Sequence, residues 1–475
     1  MRLFFLALLA GVLSLSLIHA EEKIYTLDSF ADVYYDAETG NPIASDEILE
    51  LNGKTVRIAG YMVPYNSLEN LKEFMLMPSS NGCNFCESPI KEEIIYVNQF
   101  GKKKFSFIDE PLVITGKLWV NGAGTKPKNK NFEQFLYAFE QAKVEKLKPK
   151  HHALLETVTP RTIIKQVCSI LKVRLLKQVK VQALDESAYR KKKKEVLLKY
   201  LGGEEKAQQL QRFLTAMNFK GGEDLVNTVT DYLSHWSASF SDQAGTVIYY
   251  KEGLDLSDPD NQRQIALSCY DVLFHHESQM GDQIHKNTPS YEEYLARLSL
   301  ILGLRQSFTQ FYGSIGLIDL KPLEEFAAPH KEASLPTTLD SLRQLLLINN
   351  ADFIQKVYEA EAFQPYTKAI MSPPVSMEQI FNPALYTSGE PHKPEALKPS
   401  QNRFGPYLTQ LILNNTVKKE QITTDTILLQ NENPFLWEIQ FRDPKSAKLA
   451  QSYLNDLETL SVELNGNSLK VTPAQ

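Results

Sequence analysis

Apolar and polar positions alternate most plainly between residues 52 and 120. Asn52-Gly53-Lys54-Thr55-Val56-Arg57-Ile58-Ala59-Gly60-Tyr61-Met62-Val63-Pro64 reads as a β-type segment. Three further β-type segments follow at Glu73-Phe74-Met75-Leu76-Met77, Glu93-Ile94-Ile95-Tyr96-Val97-Asn98 and Pro111–Val120. Phe74–Met77 and Leu112-Val113-Ile114 are continuous apolar runs, which predict strands buried on both faces. Gly60 and Gly116, inside their strands, suit bulges or tight bends. So many short strands in so short a window predict a small barrel, with an OB-like fold as the expectation.

Downstream the period lengthens. Residues 121–131 are polar and turn-rich and read as a loop. Phe132, Phe135, Leu136 and Phe139 then predict a helix over 132–148. Thr159-Pro160 opens another, with Thr159 as cap and Pro160 in the first turn. Ile164, Val167, Cys168, Leu171 and Leu175 give that helix one apolar face. Further helices are expected near 186–201, 204–217, 222–240, 259–280, 289–312, 338–360 and 443–460. The proline-rich stretch 364–406 reads as an irregular surface arm. Thr426–Leu429 and Trp437–Phe441 predict a strand pair, and Val462–Val471 a hairpin turning on Asn465-Gly466.

The expected fold class is α+β: a small N-terminal β-barrel-like, OB-like domain, a mainly α-helical body and a short C-terminal α/β segment. In residue terms these are a signal at 1–20, a β-rich domain at 21–122, a helical domain at 132–363, the arm at 364–406 and the C-terminal segment at 407–475.

The phrases Asn52-Gly53-Lys54-x-Val56-Arg57-Ile58-x-Gly60-Tyr61-Met62-Val63-Pro64 and Val113-x-Thr115-Gly116-x-Leu118 carry a family likeness. Over about residues 26–122 the chain resembles the exported bacterial family DUF3299, whose function is unknown. The resemblance implies a small β-rich exported domain with no established reaction. It also implies a Cys-bearing loop reading Cys-x-His or Cys-x-x-Cys before prolines. Cys83 and Cys86 match the second form, Phe85 stands where the first has His, and Pro89 remains of the prolines.

Residues 1–20 read as a secretory signal: Arg2, an apolar stretch at Leu3–Leu17, and an Ile18-His19-Ala20 exit. The stretch is shorter than the roughly 20 residues a membrane span needs. The expected location is therefore periplasmic or secreted, with no transmembrane span once the signal is removed. The charge is unevenly spread: residues 21–125 hold 9 basic and 16 acidic side chains, residues 126–220 hold 22 and 9, and residues 221–475 hold 19 and 32. A middle segment with a net charge of +13 attracts anionic partners, and outside the cytoplasm these are envelope proteins or anionic lipid surfaces rather than nucleic acid.

Candidate chemistry gathers on Cys83 and Cys86. Two thiols at this spacing can close a small disulfide, supply two corners of a zinc site or exchange disulfides, and they can also stay inert. A zinc site would need His151, His152, a carboxylate or another chain to complete it. Cys168 and Cys269 fall on apolar helix faces and read as core. His275-His276-Glu277 lacks the second ligand of a helical zinc-protease motif, because Met280 stands four residues after His276. Arg190-Lys191-Lys192-Lys193-Lys194 reads as a solvated helix surface or a contact for anionic lipid. Gly-rich phosphate loops and Gly-x-Ser-x-Gly elbows are absent. The expectation is an exported, non-catalytic binding or scaffold protein of the cell envelope, with the Cys loop as its contact or metal point. The rival is an enzyme performing thiol–disulfide exchange or metal-dependent hydrolysis.

Overall fold

The computed structural model describes residues 23–30, 32–64, 68–78, 92, 94–98, 106–124, 129–217, 224–242, 244–278, 290–316, 350–361, 372–388, 397, 401–429 and 435–474. The signal stretch and Cys83 and Cys86 lie outside these residues. The chain forms two units, one of residues up to Lys165 with Arg174–Gln178, the other of Gln166–Val173 and everything from Val179 onward.

The first unit is mostly strand: β1 (Ile24–Thr26), β2 (Val33–Tyr35), β3 (Pro42–Ala44), β4 (Thr55–Pro64), β5 (Glu73–Met77), β6 (Ile95–Asn98), β7 (Leu112–Val120) and β8 (Tyr137–Lys146). Five of them close a barrel in the order β4-β5-β6-β8-β7 and back to β4, with β1 added in parallel along β4. Only the β6–β8 contact within the ring is parallel.

Closure depends on β4 serving two neighbours in succession. Its residues Thr55–Gly60 pair with β7, and Tyr61–Pro64 pair with β5. Gly60 stands where the partner changes. A Cβ there would lie 2.8 Å from the Met77 carbonyl oxygen and 2.9 Å from Leu27, so only glycine lets the backbones approach. Gly116 marks the second corner: the β7–β8 register shifts between Thr115 and Lys117, and a Cβ would meet Phe139 at 3.0 Å. Inside lie Ile58, Met62, Phe74, Leu76, Ile95, Val97, Leu112, Ile114, Leu118 and Phe139. Each such burial contributes about 1.5–3 kcal/mol.

Two expectations need correction here. Residues 132–148 do not form a helix; a 3-10 turn at Lys130–Gln134 leads into strand β8. The aromatic spacing serves both shapes. Phe132 and Phe135 pack against Tyr96, with Phe132 also on Trp119, whereas Tyr137 and Phe139 join the barrel interior. Strand β5 is covered on both faces only at its end: Phe74 and Leu76 are inside, and on the outer face Met77 is buried while Met75 is half-buried.

In the second unit, β9 (Lys180–Leu184), β11 (Val247–Lys251) and β10 (Ser239–Ser241) form a small sheet with β11 central. A five-stranded sheet orders β12 (Gln401–Asn402), β13 (Ile422–Leu429), β14 (Phe435–Phe441), β16 (Ser468–Pro473) and β15 (Leu460–Asn465). Strands β15 and β16 pair up to Asn465↔Ser468, so the turn is Gly466-Asn467, one residue on from the expected Asn465-Gly466. Helices span Pro160–Leu171, Glu186–Tyr200, Glu204–Ala216, Leu225–Trp236, Pro259–Ser278, Tyr291–Gly316, Asn350–Glu361 and Pro444–Asn455. The stretch expected as a surface arm is instead built into the core over its described residues. Met377–Phe381 and Pro383–Thr387 are helical, and Met377, Ile380 and Tyr386 are buried with Phe353 and Val357.

A buried charge cluster joins these parts. Asp425 accepts the amides of Phe404 (3.1 Å) and Gly405 (2.8 Å) and the Trp437 indole N–H (3.0 Å). Arg403 stands 3.1 Å from Glu292, both nearly sealed from water. Burial pushes the Glu292 carboxyl up to about 7 against the pull of Arg403. The folded chain then binds more protons than the unfolded chain between pH ~4.5 and ~7. Stability should therefore fall by about 3 kcal/mol as pH rises through that window and level off above it. Urea midpoints measured across pH 4–8 check this, with Glu292→Gln expected to flatten the slope by that share.

Candidate functional site

In the barrel unit, polar side chains from five separate segments meet, Asp32, Glu92 and Tyr137 buried and Tyr35 and Arg161 half-buried. Strand β2 brings Tyr35, the turn before it Asp32, strand β8 Tyr137, and the start of the Pro160–Leu171 helix Arg161. The fifth is Glu92, shortly before β6. Asp32 and Glu92 are 7% and 6% exposed.

Every polar partner in this cluster has an assigned job. Arg161 pairs with Asp32 at 2.7 Å. The Tyr35 hydroxyl donates to Glu92 Oε1, and the Tyr137 hydroxyl donates 2.8 Å to the Phe30 carbonyl. The Arg174 guanidinium lies 4.7 Å over the Tyr35 ring, and the Tyr35 amide donates 2.7 Å to the Leu175 carbonyl. Burial raises Asp32 above the usual carboxylate range, opposed by Arg161. Burial also pushes the Tyr137 phenol well up, helped by the nearby Asp32 and Glu92 carboxylates. Both phenols are spent as donors, Tyr35 to Glu92 and Tyr137 to the Phe30 carbonyl. Chemically the cluster is an anchor: it ties β2 to the barrel and holds Glu92, six residues after Cys86 in the sequence.

The outer face of β5 and β6 carries a second polar group. Tyr96 donates to Glu73, and the Asn98 amide donates to Glu73 (3.2 Å) and to the Tyr96 hydroxyl (2.9 Å). The Tyr96 ring stacks on Phe135 at 4.6 Å.

The residues singled out by sequence are dispersed. Cys83, Cys86, Met280 and His285 lie outside the described residues, and His275 and His276 fall at the C-terminal end of the Pro259–Ser278 helix. His152 is exposed with Nε2 3.2 Å from the Leu147 carbonyl, and His151 is half-buried. Cys168 and Cys269 are free thiols, half-buried and buried. Among the described residues no three His, Cys, Asp or Glu side chains gather in a metal-holding group, and no helix is long and apolar enough to cross a membrane. The basic run is not a uniformly solvated surface. Arg190 pairs with Asp231, Lys192 with Glu195 at 2.6 Å, Lys194 Nζ donates to Asn227 at 2.9 Å, and Lys193 is buried.

Arg161→Met should strand Asp32 in the barrel unit and cost about 3–5 kcal/mol, the usual penalty for halving a buried pair. Tyr35→Phe should cost about 1–3 kcal/mol, because Glu92 loses its donor. Urea unfolding of both variants checks the order.

Comparison with known proteins bears on the barrel unit. Residues 31–146 match the profile of a family described as protein of unknown function (DUF3299). A solved DUF3299 family protein from Pseudomonas aeruginosa PAO1 aligns with 16% identity over 27% of this chain and 99% of its own, at a TM-score of 0.19. No curated protein matches. By this profile, and by the barrel phrases that carry it, residues 31–146 resemble the DUF3299 family.

Proposed function

We propose that the barrel unit is an exported, non-catalytic binding module of the cell envelope, with the Cys83–Cys86 loop as its contact point. The supporting observation is the anchoring of Glu92. It follows the loop closely, is buried, and is bonded by Tyr35 of a different strand. Glu92, fixed by Tyr35, gives the chain between β5 and β6 a rigid exit point, which suits a recognition role. The OB-like reading of the barrel is supported by its strand order. Counted along the chain, the ring runs first, second, third, fifth, fourth and back to first, with the third and fifth parallel.

In this reading residues 1–20 direct export to the periplasm or beyond. The basic segment 126–220 favours anionic envelope partners, and an oxidising destination closes Cys83 onto Cys86. Zinc held by the two thiols with outside ligands is the competing state of the same loop.

Protein recovered from an envelope fraction tests the proposal. The expected result is a chain beginning at Glu21, with two titratable thiols after unfolding, Cys168 and Cys269, and no stoichiometric metal. Four thiols with bound zinc would replace the disulfide by the metal site. Four thiols without metal, or a retained Met1, would contradict the proposal.

A further inference from the structure

The second unit holds a lysine whose surroundings differ from those of every neighbouring cation in its run. Lys193 is 7% exposed on the Glu186–Tyr200 helix. Its Nζ hydrogen-bonds Ser237 Oγ and reaches the Tyr189 hydroxyl at 3.4 Å. The Tyr189 and Phe240 rings lie 5.3 and 4.9 Å from it. Among the described residues no carboxylate pairs with it. The charged groups facing it from adjoining elements are cations. Lys251 of β11 lies over the same Tyr189 ring at 5.4 Å, and Arg305 of the Tyr291–Gly316 helix adds its field. Their own acids are Glu186, 3.1 Å from Lys251, and Asp271, 3.2 Å from Arg305.

Ser237 sits at the C-terminal end of the Leu225–Trp236 helix and is half-buried, so the serine reaches the surface where the lysine does not. Tyr189 donates 2.8 Å to the Ser237 carbonyl and fixes that backbone under the amine. The serine hydroxyl has two places to send its proton. With Lys193 charged, the ammonium donates to Oγ and the Ser237 O–H donates to the Leu233 carbonyl, 3.3 Å away. With Lys193 neutral, the O–H turns to Nζ. Burial, and then Lys251 and Arg305, push the Lys193 amine down to about 7, so the neutral arrangement is populated at neutral pH.

We infer that Lys193 and Ser237 form a base–nucleophile dyad that takes up acyl groups from carboxylic esters. Oγ attacks the ester carbonyl carbon while its proton passes to Nζ. The tetrahedral adduct collapses with loss of the alkoxide, which leaves as the alcohol with the proton from Nζ. Acyl-Ser237 remains, and water releases it by the same steps, with Oγ recovering its proton. The nearest amides are already committed, Ser237 N–H to Leu233 O (3.1 Å) and Ala238 N–H to Gln264. They offer no oxyanion site, and lacking even one such donor costs about 10²–10³ in rate. The dyad therefore shows itself as a slow covalent adduct rather than as rapid turnover.

The test treats the full chain with 4-nitrophenyl acetate, reading the 4-nitrophenolate burst and the acetylated peptide by mass spectrometry. One acetyl per chain is expected, on Ser237 and labile to hydroxylamine, at a rate rising with pH to a plateau with its midpoint near 7. Ser237→Ala should remove it, and Lys193→Met should slow it at least ~100-fold, the lower bound for a general base. An adduct on Lys193, no adduct on Ser237, or an unchanged rate in folded Lys193→Met would overturn the dyad. Should Lys193→Met fail to fold, the wild-type pH profile decides: a rate without the plateau overturns it equally.

Discussion

The barrel exists because one strand can turn a corner. Strand β4 pairs with β7 through Gly60 and with β5 from Tyr61 onward, and the 2.8 Å between a Gly60 Cβ and the Met77 carbonyl leaves room for no side chain. Without that change of partner the sheet would stay open, with either β5 or β7 left an unpaired edge. Closure instead surrounds one interior, in which Phe74, Ile95, Ile114 and Phe139 are fully buried. It also holds β5 and β6 side by side, and the Cys83–Cys86 segment joins them.

Buried charge is paired in both units, as Asp32–Arg161 and Glu292–Arg403 show, and Lys193 departs from that pattern. In the barrel unit, Asp32 is matched by Arg161 and Glu92 by the Tyr35 hydroxyl, so the charges or their donors arrive in pairs. Such pairs add little net stability but resist the removal of either member. In the second unit, Lys193 has hydroxyls and aromatic faces where a carboxylate would be expected, with two further cations nearby. A buried amine in that setting is relieved by giving up its proton, a condition suited to nucleophile activation and not to structural support.

Much of the barrel was legible because strand periodicity is local. Val56, Ile58 and Met62 alternate inward on β4, and Asn465-Gly466 places the β15–β16 hairpin to within one residue of its Gly466-Asn467 turn. Strand β8 was not legible, because Phe132, Phe135, Leu136 and Phe139 repeat at helical intervals while packing on opposite sides of a sheet. The inward pair Tyr137 and Phe139, two residues apart, was the available strand signal. The anchor cluster could not be read at all: Asp32, Tyr35, Glu92, Tyr137 and Arg161 share no motif and meet only through the fold. Lys193 offered a partial signal, since Tyr189, Lys193 and Val196 fall at i, i+4 and i+7 on one buried stripe. The run of like charges around it hid that position.

Hydrogen exchange along the closing seam tests the barrel most directly. If β4 and β7 seal the ring, the amides of Val56–Gly60 and Leu112–Gly116 should be as strongly protected as those of β5 and β6, with exchange governed by unfolding of the whole unit. Seam amides that exchange like a frayed edge while β5 and β6 stay protected would mean an open sheet, and would contradict the Gly60 corner.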